Sequence, residues 1–130
     1  MIVVHASALV EILLRKPTAR ALERRVLGSG ETLHAPHLID VEIANVLRRL
    51  TLARDLDVGR AKFALDDLRA ISLFRYPHHD LLRRVWTLRD NLTAYDAVYV
   101  VLAQELDATF VTRDRRLASA AGSWARVEVF

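Results

Sequence analysis

Short apolar runs alternate with longer amphipathic segments along almost the whole chain, and this alternation constrains the fold more than any other feature. Ile2–Val4 is a β-branched run of the kind found in buried strands. Residues 37–54 instead place apolar side chains on one helical face, at Ile39, Ile43, Val46, Leu47 and Leu50. Strands that alternate with helices predict an α/β fold, with a central parallel sheet of four to five short strands and helices on both faces.

The same patterns assign the remaining segments. The predicted strands are residues 2–4, 32–35, 71–74, 109–112 and 127–129. The predicted helices are a short one capped by Ser7, followed by residues 17–27, 37–54, 58–70, 78–89, 93–106 and 115–121. No repeat or linker-like stretch interrupts this order, so we expect residues 1–130 to form a single domain.

The composition excludes several classes of protein. Hydrophobic residues make up 52% of the chain, which excludes a disordered or low-complexity sequence. Cysteine is absent, so disulfide bonds, thiolate metal sites and cysteine nucleophiles are excluded as well. The longest apolar run, residues 97–103, is far shorter than the roughly 20 residues that span a bilayer. We therefore expect a soluble cytoplasmic protein with no membrane segment.

Two aspartates fall where ligands collect in parallel sheets, just after a strand or at the start of a helix. Asp114 follows the predicted strand 109–112, and its alternative role is that of an N-cap. Asp96 lies three residues after Thr93, which is the spacing of a capping box. Its helix is apolar all round and so begins inside the protein, where an isolated carboxylate needs a cation or a hydrogen-bond donor.

Glu42 flanks the apolar face of its predicted helix, where the alternative to a metal is an ion pair with Arg48 or Arg49. Together, Glu42, Asp96 and Asp114 predict one acidic pocket. Ligation by carboxylates and water alone selects Mg²⁺ or Mn²⁺ over zinc. Such an ion polarises a phosphoryl oxygen and lowers the pKa of a bound water, so phosphodiester cleavage is the chemistry that it serves best.

Four segments, taken together, point to a known family. They are Ile-Val-Val-His5-Ala-Ser7-Ala-Leu, Pro36-His-Leu-Ile-Asp-Val-Glu42-Ile-Ala-Asn45-Val-Leu-Arg-Arg, Leu92-Thr-Ala-Tyr-Asp96-Ala-Val-Tyr-Val and Thr109-Phe-Val-Thr112-Arg-Asp114-Arg-Arg-Leu. In this combination and order the chain resembles PIN-domain ribonucleases, specifically the VapC toxins of bacterial toxin–antitoxin pairs. The resemblance covers the whole chain.

The resemblance implies a PIN-domain fold and a Mg²⁺- or Mn²⁺-dependent endoribonuclease that cuts a tRNA or rRNA and so arrests translation. It also implies a homodimer, and a VapB-type antitoxin that blocks the pocket within a higher assembly. The acidic quartet that holds the metal in this family maps onto His5, Glu42, Asp96 and Asp114, and the three carboxylates map onto its catalytic residues. Polar positions that support the site match Ser7, Asn45 and Thr112.

His5 is the one departure from the family pattern, which almost always has Asp at this position. Imidazole can ligate Mn²⁺ but is a poor ligand for Mg²⁺, and the pocket loses one negative charge. We therefore expect a weakened or inactive nuclease, whether His5 belongs to a natural degenerate copy or to a deliberate substitution. The structural alternative is a histidine at a strand end that donates a hydrogen bond to a backbone carbonyl.

Arginines provide the candidate RNA contacts. Arg113, Arg115 and Arg116 flank Asp114 and could bind phosphates, or they could simply be solvated residues at a helix start. The net charge of +3 is compatible with a nucleic-acid partner but is mild. The rival function is a PIN scaffold that binds antitoxin or RNA without cutting. A phosphate-accepting switch is disfavoured because such proteins need an aspartate where this chain has His5.

Overall fold

Five parallel strands form the centre of the protein. The computed structural model describes residues 1–130, and the strands pair in the order β3-β2-β1-β4-β5. Their bounds are β1 Ile2–Val4, β2 Leu33–Pro36, β3 Leu73–Tyr76, β4 Thr109–Thr112 and β5 Val127–Val129. The predicted α/β architecture, with a parallel sheet of this size and helices on both faces, is confirmed.

Seven α-helices connect and cover the strands. They are α1 Ala6–Leu13, α2 Arg20–Leu27, α3 Leu38–Leu52, α4 Val58–Ala70, α5 Leu82–Thr87, α6 Ala94–Glu105 and α7 Arg115–Ala121. None of them combines the length and the apolar character that crossing a bilayer requires. Strand β3 begins two residues later than predicted, and the predicted helix over 78–89 is shorter because a 3₁₀ turn at His79–Leu81 precedes α5.

Helix α6 lies at the heart of the core. Its residues 97–103 are all buried, and the helix packs against β1, β2 and β4. Tyr99 of α6 and Phe110 of β4 are the largest side chains with no exposure at all. Because residues 97–103 of α6 are all buried, Asp96 lies at the edge of the core, where its side chain is partly buried.

Strands β2 and β3 are added on one side of β1, and β4 and β5 on its other side, so β1 and β4 are neighbours at the point where the strand order reverses. Strand β1 pairs with β2 on one side and with β4 on the other, so this is the switch point of the sheet. The backbone N–H of His5 donates to the carbonyl of Val111 at 2.9 Å, which extends the pairing just past the end of β1. Residue 5 and the segment after β4 therefore share one corner of the sheet.

Candidate active site

His5 ends β1 and begins α1. It is the N-cap residue, with extended backbone angles (φ −80°, ψ 150°), and its carbonyl accepts hydrogen bonds from Ala8 and Leu9. The backbone N–H of Ser7 donates a hydrogen bond to Nδ1 of His5 at 3.4 Å. The prediction that Ser7 caps this helix is therefore wrong: the N-cap is His5, two residues earlier, and the Ser7 hydroxyl is left available for contacts across the sheet.

The Ser7 hydroxyl joins the ends of β1 and β4. Its Oγ lies 2.8 Å from Nδ1 of His5 and 3.2 Å from Oγ1 of Thr112, and it accepts a hydrogen bond from the backbone N–H of Arg113 at 3.0 Å. Thr112 is fully buried, and its Oγ1 accepts from the backbone N–H of Asp114 at 3.0 Å. The two hydroxyls thus fix both the His5 ring and the loop that leads to Asp114.

The other nitrogen of His5 faces Asp96. His5 is only 8% exposed, and its Nε2 is buried without a hydrogen-bond partner, 3.6 Å from Oδ1 of Asp96. That distance is too long for a hydrogen bond, so the contact is electrostatic. The structural alternative for His5, a hydrogen bond to a backbone carbonyl, is wrong, because both ring nitrogens face side chains.

Asp96 takes part in one half of the capping box expected from its spacing, the Thr93 cap of its backbone N–H, and adds the contact with His5. Thr93 is the N-cap of α6: its Oγ1 accepts from the backbone N–H of Asp96 at 3.2 Å and donates to Oδ2 of Asp96 at 2.9 Å. The His5 imidazole lowers the pKa of Asp96, and the Thr93 hydrogen bond acts in the same direction, against the effect of burial. Asp96 therefore presents one satisfied oxygen and one that faces the imidazole.

Glu42 is held by Tyr99, a partner that sequence reasoning missed. The Tyr99 hydroxyl donates a short hydrogen bond to Oε2 of Glu42, and neither predicted arginine partner pairs with this carboxylate. Burial raises the pKa of Glu42, while this hydrogen bond opposes the rise. Burial also raises the pKa of Tyr99, with the charge of Glu42 adding to the effect. The available signal was the three-residue spacing of Asp96 and Tyr99, which places both on one face of α6.

Asp114 caps α7, as its alternative role proposed. It is exposed, and its Oδ1 accepts hydrogen bonds from the backbone N–H groups of Arg116 at 2.9 Å and Leu117 at 3.0 Å. Arg113 lies beside it and pairs with Glu11 of α1, with Nε 3.0 Å from Oε2. A phosphate-binding role for Arg113 therefore requires this pair to open. Arg115 and Arg116 are exposed at the start of α7, and Asn45 is exposed one turn after Glu42 on α3.

The predicted residues share one corner of the sheet, but their side chains are not gathered around one point. His5 and Asp96 face each other, and both act electrostatically on Glu42. Asp114 is linked to His5 only through Thr112. No group of three or more histidine and carboxylate side chains is placed to hold a metal ion. Tyr99, Thr93 and the α7 backbone each donate to one oxygen of these carboxylates, so their convergence on one ion stays a prediction. Among the four positions only the imidazole of His5 is a poor ligand for Mg²⁺, which prefers hard oxygen ligands.

Comparison with known proteins agrees with this architecture. The family model for the PIN domain matches residues 2–123. The chain is 45% identical over 118 residues to VapC ribonuclease Mb0985 of Mycobacterium bovis, covering 91% of this chain and 89% of that protein. Among solved structures, it resembles PAE2754 from Pyrobaculum aerophilum, with a TM-score of 0.71, 28% identity, and coverage of 97% of this chain and 82% of the other. It also resembles VapBC2 from Rickettsia felis, crystallised with a DNA fragment from their promoter, with a TM-score of 0.69, 13% identity and 98% coverage of both chains.

Proposed function

The chain belongs to the PIN-domain family and, within it, to the VapC ribonucleases, and on this premise we propose that it is the endoribonuclease toxin of a toxin–antitoxin pair. The proposal rests mainly on the 45% identity to a VapC ribonuclease over most of both chains. The polar corner at the switch point between β1 and β4 supports it, since ligands of parallel sheets bind there. The proposed substrate is a structured RNA of the tRNA or rRNA class.

The proposed catalytic residues are Glu42, Asp96 and Asp114. Asp96 combines a lowered pKa with partial exposure, so it presents a carboxylate to whatever enters the corner. Ser7 and Thr112 hold the His5 ring and the following loop, and Asn45 is proposed as a further polar support. Arg115 and Arg116 are exposed beside Asp114, and we assign them, with Arg113 after its pair with Glu11 opens, to RNA phosphates.

The proposed partner is a VapB-type antitoxin. The neighbour of the same fold from Rickettsia felis was crystallised as VapBC2, bound to a DNA fragment from their promoter. A homodimer, a higher assembly with the antitoxin and a cytoplasmic location belong to the same proposal. Purification of the chain with the product of a small reading frame next to its gene, followed by mass measurement of the complex, tests the partner directly.

We propose that PIN-domain metal dependence holds for this chain but that His5 attenuates its activity with Mg²⁺. The imidazole supplies a nitrogen where Mg²⁺ prefers oxygen, and it removes one negative charge from the corner. In cleavage assays on total tRNA and on ribosomal RNA with Mg²⁺, His5→Asp is expected to cut on the order of 100-fold faster than the parent chain. That ratio corresponds to about 2.7 kcal/mol of activation free energy.

A matched control makes the same charge change elsewhere. His78 is exposed at the turn after β3, so His78→Asp is expected to leave the rate at the parent level. Equal and robust cleavage by the parent chain and by His5→Asp would contradict attenuation. The second candidate function, a scaffold that binds antitoxin or RNA without cutting, is favoured by the carboxylates' existing protein partners. It requires that His5→Asp also fails to cut while the chain still binds its antitoxin.

A further inference from the structure

Arg113 is a partly buried arginine whose guanidinium is not held by hydrogen bonds. Arg75 and Arg25 are as buried as Arg113: the exposed fractions of the three side chains are 27%, 25% and 27%. Arg75 donates from Nε and Nη2 to both oxygens of Asp40, at 2.7 and 2.9 Å, and Arg25 binds both oxygens of Glu128 in the same way. The Arg113 side chain makes an ion pair but donates no hydrogen bond, so its planar fork is open to a ligand.

The partner of Arg113 in this ion pair, Glu11 of α1, is also incompletely satisfied. Its Oε2 lies 3.0 Å from Nε of Arg113, yet this oxygen is buried without a hydrogen-bond partner, because the N–H is not aligned with it. No nitrogen of Arg113 is buried in this way, so its donors can be reached from solvent. The contact is therefore electrostatic, and a ligand with well-placed oxygens can compete with Glu11 for the fork.

The position of Arg113 suits a phosphate as that ligand. It directly precedes the candidate catalytic residue Asp114, and its backbone N–H is fixed by the Ser7 hydroxyl at 3.0 Å. An arginine fork matches phosphate oxygens in a bidentate arrangement. Nζ of Lys16 lies 3.6 Å from Oε1 of Glu11, so the carboxylate keeps a cation nearby when Arg113 turns away. Opening the pair therefore does not leave an isolated buried charge.

We propose that Glu11 competes with an RNA backbone phosphate for the guanidinium of Arg113 and so sets the affinity of the candidate active site for RNA. The inference rests on the proposed function for the class of ligand. It adds a residue that touches neither the substrate nor the reacting atoms and that acts only through Arg113.

The test measures RNA binding without cleavage. Filter binding of unfractionated tRNA to the full chain is followed over a series of KCl concentrations in EDTA, which suppresses cutting that depends on a divalent ion. Glu11→Gln, which keeps the shape of the side chain, is expected to tighten binding at least about fivefold, equal to ~1 kcal/mol. Arg113→Gln is expected to weaken binding and to reduce the salt slope by about one, because one phosphate contact is lost.

The double variant separates competition from general repulsion. When Arg113 is already Gln, Glu11→Gln is expected to tighten binding less than about twofold, because only the repulsion between Glu11 and RNA, screened by salt, remains. Glu105→Gln is the matched control, since it also removes a carboxylate from an arginine, Arg84. Glu105 lies nine residues after Asp96 on α6, roughly 14 Å along the helix, so its effect is expected to stay below about twofold.

Unchanged or weaker tRNA binding by Glu11→Gln would overturn the inference, because Glu11 would then only anchor the loop after β4. An equal gain in the Arg113→Gln background, or no tRNA binding by any variant, would overturn it as well. If Glu11→Gln does not fold, the ¹⁵N signal of Nε of Arg113 in the parent chain decides: it is expected to shift when tRNA is added, and an unmoved signal contradicts the inference. The expected binding pattern without cleavage by the parent chain or by His5→Asp would leave the inference standing and contradict the proposed function. Cleavage without an effect of Glu11→Gln would do the reverse.

Discussion

Two buried histidines on neighbouring strands have opposite environments. His34, in β2, is 5% exposed, and both of its ring nitrogens have partners: Nε2 lies 2.8 Å from the Thr32 hydroxyl and Nδ1 lies 2.9 Å from the Tyr76 hydroxyl. His5, at the end of β1, is almost as buried, yet its Nε2 has no partner and faces a carboxylate.

The difference shows that burial does not distinguish a structural histidine from a candidate ligand. His34 also stacks on Phe74, with ring centroids 5.2 Å apart, and so completes the packing at the β2–β3 edge. The His5 ring packs edge-on against Tyr99 and Phe110, but its polar atoms are satisfied on one side only. The number of hydrogen-bond partners of the ring, and not its depth of burial, therefore distinguishes the histidine of the candidate site.

The largest expected effect on stability comes from replacing each of the two histidines with leucine. His34→Leu is expected to lower the free energy of unfolding by about 2–3 kcal/mol, because two hydrogen bonds are lost and a half-buried tyrosine hydroxyl keeps no partner. His5→Leu is expected to lower it by only about 1 kcal/mol, because the unpaired Nε2 is removed along with the Ser7 contact. Urea unfolding of both variants measures the difference. Equal destabilisation would show that partner number does not separate the two histidines.

Sequence patterns predicted local structure well and cross-chain partners poorly. The amphipathic pattern placed helix α4 to the residue, and the structure adds its N-cap, Asp57, whose side chain accepts from the backbone N–H of Arg60. Strand β3 was misplaced by two residues, since it is an edge strand with an exposed Phe74 and so lacks a continuous apolar run.

The same distinction between local and long-range contacts holds in the candidate site. The capping box of Thr93 and Asp96 is local, and the spacing of the two residues predicted it. The contact of Ser7 with Thr112 joins residues 105 positions apart, so only the strand order could reveal it. The partner of Glu42 was sought among arginines of its own helix, whereas the actual donor, Tyr99, comes from α6 across the core.

A smaller effect on stability is expected from removing the hydroxyls of the two tyrosines that hydrogen-bond in these regions, Tyr99 and Tyr76. Tyr99→Phe is expected to lower the free energy of unfolding by about 2 kcal/mol, because the partly buried carboxylate of Glu42 loses its donor. Tyr76→Phe removes a bond between neutral groups at the His34 edge and is expected to have about half that effect. The measurement is again the urea midpoint. A larger loss for Tyr76→Phe would mean that Glu42 finds another donor and is less constrained than its environment indicates.

The smallest effect is the dependence of stability on pH at His34. Burial lowers the pKa of His34 below its ordinary value of 6.5. Between the folded-state pKa and 6.5 the unfolded chain binds more protons than the folded one, so the free energy of unfolding rises with pH in this window. The stabilisation from a neutral His34 is complete above pH 6.5 and is lost as the pH falls through the folded-state value.

The variant His34→Gln isolates this contribution, because glutamine keeps a donor and an acceptor but does not titrate in this range. Urea unfolding of the parent chain between about pH 7.5 and about pH 5.5 is expected to show a decrease in stability that is shallower in His34→Gln; both limits are about one unit from 6.5. The four other histidines are common to both proteins, so the difference between the two curves belongs to position 34. Parallel curves would mean that His34 accepts a proton without losing its partners. The contrast with His5 would then rest on the hydrogen-bond geometry alone.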